Sequence, residues 1–77
     1  MVTAYVLIQA EVGKAGQVAS AAAAVDGVQQ AQPLAGPYDV IVHAEARSID
    51  AMGRLVVSRI QAIDGVTRTW TCSVVHL

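Results

Sequence analysis

The sequence predicts an α+β fold of the ferredoxin-like βαββαβ type, a four-stranded antiparallel sheet with two helices on one face. Three observations lead there. Hydrophobic periodicity alternates in the order strand, helix, strand, strand, helix, strand; the stop "VDGV" at 25–28 returns as "IDGV" at 63–66; and 77 residues leave room for one core only. Two similar halves joined by right-handed crossovers give the split βαβ arrangement.

Each element follows from local chemistry. Residues 5–10 are continuous and mostly apolar, with Gly13 marking their end, and form the first strand. The first helix spans 14–25: Val18, Ala21, Ala22 and Val25 recur at helical spacing, and the alanine run has high helix propensity. Asp26-Gly27 stops it, since glycine readily takes the left-handed conformation that ends helices. A short, polar-tinged strand at 28–32 ends before Pro33, as an edge strand does. After the 33–37 loop comes a third strand, 38–46. Ser48 is an N-cap for the second helix, Asp50 lies in its positively polarised first turn, and Ile49, Met52, Leu55, Val56, Ile60 and Ile63 make its apolar stripe. Asp64-Gly65 stops that helix, and 66–76 is the last strand.

Composition narrows the function. The chain is 55% hydrophobic, has a single cysteine, no phenylalanine and a net charge of −1. One cysteine excludes an internal disulfide, and no Cys/His spacing matches a zinc site, so neither a metal nor a cofactor is expected. Without a Lys/Arg stripe, direct nucleic-acid binding is not expected. The N-terminus has no basic leader and reaches Glu11 too early for a secretory or membrane-spanning segment, which points to the cytoplasm. Cys72, inside an apolar strand pattern, is expected to be a small buried hydrophobe.

A core of small aliphatic residues in so short a chain gains from self-association. The strands point the same way. Tyr5, Leu7 and Gln9 oppose Val6, Ile8 and Ala10; Val40, Val42 and Ala44 oppose Ile41, His43 and Glu45; both sets are substantially apolar. A sheet with helices on one face and water on the other would show a polar set in every strand. The second face is therefore expected to pack on another copy, as a face-to-face dimer of the α+β barrel type that can assemble further.

Few residues invite chemistry. His43 and His76 lie in strand patterns without an adjacent nucleophile, and Gly13-x-x-Gly16 beside Lys14 lacks the spacing of a phosphate loop, so no catalytic residue is assigned. Asp39 is different, because a carboxylate at the mouth of a buried strand requires donors or a cation. It either accepts N–H bonds within the Gly36-Pro37 turn or faces an incoming ammonium group. A zwitterionic amino acid needs donors for its carboxylate and an acceptor for its ammonium. A glycine turn, Asp39, and the hydroxyls of Thr69 and Thr71 on one strand face contain those ingredients.

The stretch "GPYDVIVHAEARSIDAMGRLVVSRIQAIDGVTRTWT" resembles the effector-binding RAM domain of the leucine-responsive regulator and AsnC (Lrp/AsnC) family, in its G-x-Y-D turn, the helix start near "SID", the I-x-G-V helix end and the T-x-T strand. The likeness covers essentially the whole chain. It implies dimers made by packing sheets, rings of those dimers, and a small effector, usually an amino acid, held between them. By matching position it implies ligand contacts at Gly36, Tyr38, Asp39, Thr69 and Thr71, with Asp39 taking the ammonium. Pro37 departs from the pattern by removing a donor beside the effector carboxylate. Full-length members also carry an N-terminal helix-turn-helix. Met1 lies just before the first strand, so a stand-alone sensor with no DNA-binding domain is expected, acting through co-assembly with a full-length relative or outside transcription.

Two other functions compete. Small ferredoxin-like dimers include cofactor-free monooxygenases and isomerases, for which His43, Glu45, Tyr5 and Trp70 are the candidates and an enclosed pocket within one subunit the requirement. A plain assembly module would satisfy Asp39 and the threonines internally.

Overall fold

The alternation of the first nine strand residues buries Ala4, Val6 and Ile8 completely while Tyr5, Leu7 and Gln9 stay at least partly open, which fixes the two faces of the sheet. A computed structural model describes all residues 1–77. In chain order the elements are β1 (Val2–Ala10), α1 (Ala15–Ala23), β2 (Val28–Pro33), β3 (Val40–Ala46), α2 (Ile49–Leu55) and β4 (Val66–Ser73). The sheet runs β2-β3-β1-β4 and every pairing is antiparallel. This is the ferredoxin-like order, with β2 and β4 at the edges.

Strand ends differ from the sequence reading. β1 begins at Val2 rather than Tyr5, because Val2, Thr3 and Ala4 find partners in Ala46, Glu45 and Ala44. β3 begins at Val40 rather than Tyr38, and β4 ends at Ser73, leaving His76 outside any strand. Ladder partners decide these limits, and hydropathy does not reveal them.

The core lies between the sheet and the helices. Val40, Val42 and Ala44 of β3 join the β1 set, and α1 adds Val18, Ala19 and Ala22. Ala19, not Ala21, completes the buried face of α1. Small residues there let the helix approach the sheet closely. Met52, Val56 and Ile60 fill the other half. Ile49, assigned by periodicity to the same stripe, is 62% exposed: it lies in the first turn, beyond the sheet's cover.

Ser48 caps α2, its hydroxyl accepting the Ala51 N–H at 3.0 Å, and Asp50 occupies the first turn. The helix continues past Leu55 in a wide turn, Val56–Ile60, where the Gln61 N–H reaches back five residues to the Val56 carbonyl at 2.8 Å. Both repeated stops behave alike. Gly27 and Gly65 have φ of +95° and +98°, conformations costly for any residue with a Cβ. At Gly27 space is also short: a Cβ would lie 2.7 Å from Leu55 Cδ1 and 3.0 Å from the Glu45 carbonyl.

Candidate functional site

The turn before β3 is held from β1. Asp39 donates its N–H to the Ile8 carbonyl and its own carbonyl accepts the Leu34 N–H, both at 2.8 Å. Its carboxylate Oδ2 accepts the Ala10 N–H at 2.7 Å. The ladder between β1 and β3 ends at Ile8 and Val40, so the Ala10 N–H lies past it, and the carboxylate takes the place of a strand partner. The donor therefore comes from β1 and not from the Gly36-Pro37 turn. Gln9 Nε2 donates to the Pro37 carbonyl at 3.3 Å, a second tie between turn and strand. Gly36 is exposed with φ of +154° and nothing within 4 Å of where a Cβ would stand, leaving its backbone open to approach.

Tyr38 meets Trp70 edge to face, ring centres 5.2 Å apart, and the Arg68 guanidinium lies 4.9 Å from the Trp70 ring centre. Trp70 pairs with Leu7 and Arg68 with Gln9, so this cluster occupies the sheet face turned away from the helices. Tyr5 and His43 stack on the same face, 4.9 Å apart. Cys72, opposite Tyr5, is exposed there instead of buried, because alternation through Trp70 sends it outward.

Thr69 and Thr71 pair with Ile8 and Val6 and hence lie on the helix side of β4. With Ser73 they form a row of hydroxyls facing α2 across a cleft of about 300 Å³, whose other wall includes Ile49, Met52, Gly53, Val56 and Val57. Gln61 Nε2 donates to Thr69 Oγ1 at 2.9 Å and closes one end.

The five residues singled out by sequence thus fall into two groups. Gly36, Tyr38 and Asp39 are contiguous in the turn, and the threonines are contiguous in the α2 cleft, yet no cleft of a single chain is lined by members of both groups. Sequence reasoning did not single out Gln61 or Arg68. Arg68 was accessible, since its two-residue spacing from Trp70 puts both on one strand face. His43 touches only a crevice of about 70 Å³ with Tyr5, Gln30, Gln32 and Ile41. No three His, Cys, Asp or Glu side chains converge as metal ligands, and no helix is long and apolar enough to cross a membrane.

Comparison with known proteins places this geometry. No curated protein is significantly similar to the chain in sequence. Among solved structures, the TTHA0845 protein of Thermus thermophilus superposes with a TM-score of 0.92 at 26% identity, covering 100% of this chain and 96% of that one. AsnC of E. coli does so with a TM-score of 0.89 at 25% identity, over 99% of this chain and 52% of its own length. A transcriptional regulator of Neisseria meningitidis, solved as a complex with L-Met, shares the fold with a TM-score of 0.84 at 17% identity, over 97% of this chain and 50% of that one. The sequence profile of the Lrp/AsnC ligand binding domain matches residues 3–76. With its ferredoxin-like sheet, G-x-Y-D turn and T-x-T strand, the chain belongs to the Lrp/AsnC ligand-binding domain family.

Proposed function

We propose that the chain is a non-enzymatic, oligomeric sensor of an amino acid or a related small zwitterion. The observation that carries this reading is the bare outer face of the sheet, where Tyr5, Leu7, Ile41, His43 and Trp70 lie without a covering layer. Tyr5 is 42% exposed, a large aromatic in mid-strand that a second sheet would cover. Packing two such faces gives a twofold dimer.

Effector binding rests on the two separated groups. Only Oδ2 of Asp39 is used inside the chain, which leaves Oδ1 to receive an ammonium. The open Gly36 backbone, Tyr38, and the hydroxyls of Thr69 and Thr71 from a neighbouring subunit would enclose the rest of the molecule. The L-Met bound by the Neisseria regulator is the chemical precedent.

A ligand-free assembly module is the second reading, favoured by the bond from Ala10 that already satisfies part of Asp39. A thermal-shift and calorimetric screen of the twenty amino acids, run beside sedimentation, separates the two. A ligand at a thousand times its Kd stabilises the folded state by about 4 kcal/mol. Stabilisation by one or a few amino acids, lost in Asp39→Asn, supports the sensor; no stabilisation by any of them eliminates the amino acids as its effectors. Sedimentation as an 8.0 kDa monomer at micromolar concentration would eliminate both readings.

A further inference from the structure

A histidine stands at the middle of the sheet. In the order β2-β3-β1-β4 the inner strands are β3 and β1, and their ladder runs from Val2 with Ala46 to Ile8 with Val40. Tyr5 with His43 is the fourth of its seven pairs. The two rings stack 4.9 Å apart and 15° from parallel, on the face turned away from the helices. His43 is partly exposed there. Its imidazole takes part in no side-chain hydrogen bond, and the chain's ion pair is Lys14 with Asp64.

The neighbours of that ring offer a positive charge little relief. From β1 it meets Tyr5, and from β2 its partner Gln30, both neutral. From β4, Cys72 lies beyond Tyr5 in the same row. The charged groups of this face lie away from the middle: Glu45, two residues along β3, pairs with Thr3 near one end of β1, and Arg68 pairs with Gln9 near the other. Full overlap of two copies of one face sets the twofold axis across the sheet centre, which brings the two Tyr5–His43 stacks together. A neutral imidazole is covered at small cost. A protonated one must shed its water without a facing anion, and it meets the like charge of the second copy beside the axis.

We infer that His43 makes the sheet-face dimer sensitive to pH, protonation of its imidazole driving the two chains apart in mild acid. The inference rests on the sheet-face dimer of the preceding section. Histidine is the side chain whose charge changes between about pH 5 and 8. Because association favours the neutral ring, it releases up to one proton per chain to solvent. The dimer is therefore favoured at the alkaline end of that range and lost as pH falls. Two protons per dimer set the steepest dependence, about a hundredfold in dissociation constant per pH unit.

Sedimentation of a dilution series at constant ionic strength, repeated between about pH 7.5 and 5.5, tests it. The wild-type dimer dissociation constant is expected to rise at least about tenfold over that range. His43→Gln, which does not titrate, and His43→Phe, which keeps an aromatic ring on Tyr5, are each expected to dimerise with a constant that stays level. His76→Gln alters the chain's other histidine, past the end of β4, and is expected to keep the wild-type rise. Circular dichroism at each pH confirms that the variants remain folded. A wild-type constant that does not change, or a rise equally steep in His43→Gln and His43→Phe, would overturn the inference and leave the dimer standing. Failure of the sheet-face dimer shows separately, and takes the inference with it: wild type would be monomeric at pH 7.5, or Tyr5→Glu would leave its mass unchanged.

Discussion

The carboxylate of Asp39 accepts the backbone N–H of Ala10 at 2.7 Å across 29 positions of sequence, so a side chain finishes a ladder that the backbone leaves one bond short. A bond from an amide to a charged acceptor contributes roughly 1.5–3 kcal/mol. Asp39→Ala is expected to destabilise the protein by about that amount in urea denaturation. Asp39→Asn retains an acceptor and is expected to cost less than half as much, while removing the negative charge an ammonium requires. A stability loss equal in the two variants would contradict this division between strand closure and ligand recognition.

Gly27 carries a second, sharper demand. Its φ of +95° disfavours any Cβ, and that atom would stand 2.7 Å from Leu55 Cδ1 and 3.0 Å from the Glu45 carbonyl. Backbone strain alone costs roughly 1–3 kcal/mol. Gly27→Ala is expected to lose at least that. Adding Leu55→Ala removes the side-chain half of the clash, so the double variant should be more stable than the sum of the two single losses. Strict additivity in chemical denaturation would show that Leu55 is not what crowds Gly27.

How far the sequence could be read follows the range of each cause. The stops at Gly27 and Gly65 and the cap at Ser48 were legible because turn and cap chemistry act within three or four residues. The alternation of Thr69 and Thr71 against Trp70 was legible too. Which of those sets faces the helices was not, because that depends on the pairing of Thr69 with Ile8, 61 positions away. Ile49 and Cys72 were assigned to the interior for their apolar character, but exposure is set by what the fold lays over them. Local chemistry offers Asp39 only the adjacent turn or an incoming ammonium as partners, since nothing local identifies a strand end 29 residues earlier.

Ile60 is the core residue where the wide turn of α2 meets the sheet, fully buried although it follows the regular helix. Truncating a buried isoleucine costs roughly 2–5 kcal/mol, rising with the cavity that remains. Ile60→Ala is expected to fall in that range, whereas Val57→Ala, three residues earlier and 63% exposed, should change protomer stability by less than about 0.5 kcal/mol. Urea midpoints measured at one protein concentration compare them. A loss at Val57 equal to or larger than that at Ile60 would contradict this assignment of the inward and outward sides of the wide turn.

Trp70 is the chain's single tryptophan and stands among Tyr38, Arg68 and Leu7 on the outer sheet face. Its emission therefore reports on that face without a label. Partly exposed in one protomer, the indole loses water when a second sheet covers it, and its fluorescence moves to shorter wavelength. Dilution through the dimer dissociation constant is expected to shift the emission to longer wavelength, with the same midpoint as the fall in sedimentation coefficient. Tyr5→Glu puts a charge into the proposed contact, where desolvation opposes burial, and should hold the emission at its long-wavelength limit at every concentration. An emission maximum that stays constant while the sedimentation coefficient falls would show that the dimer forms without covering Trp70, and would remove the sheet face from the assembly.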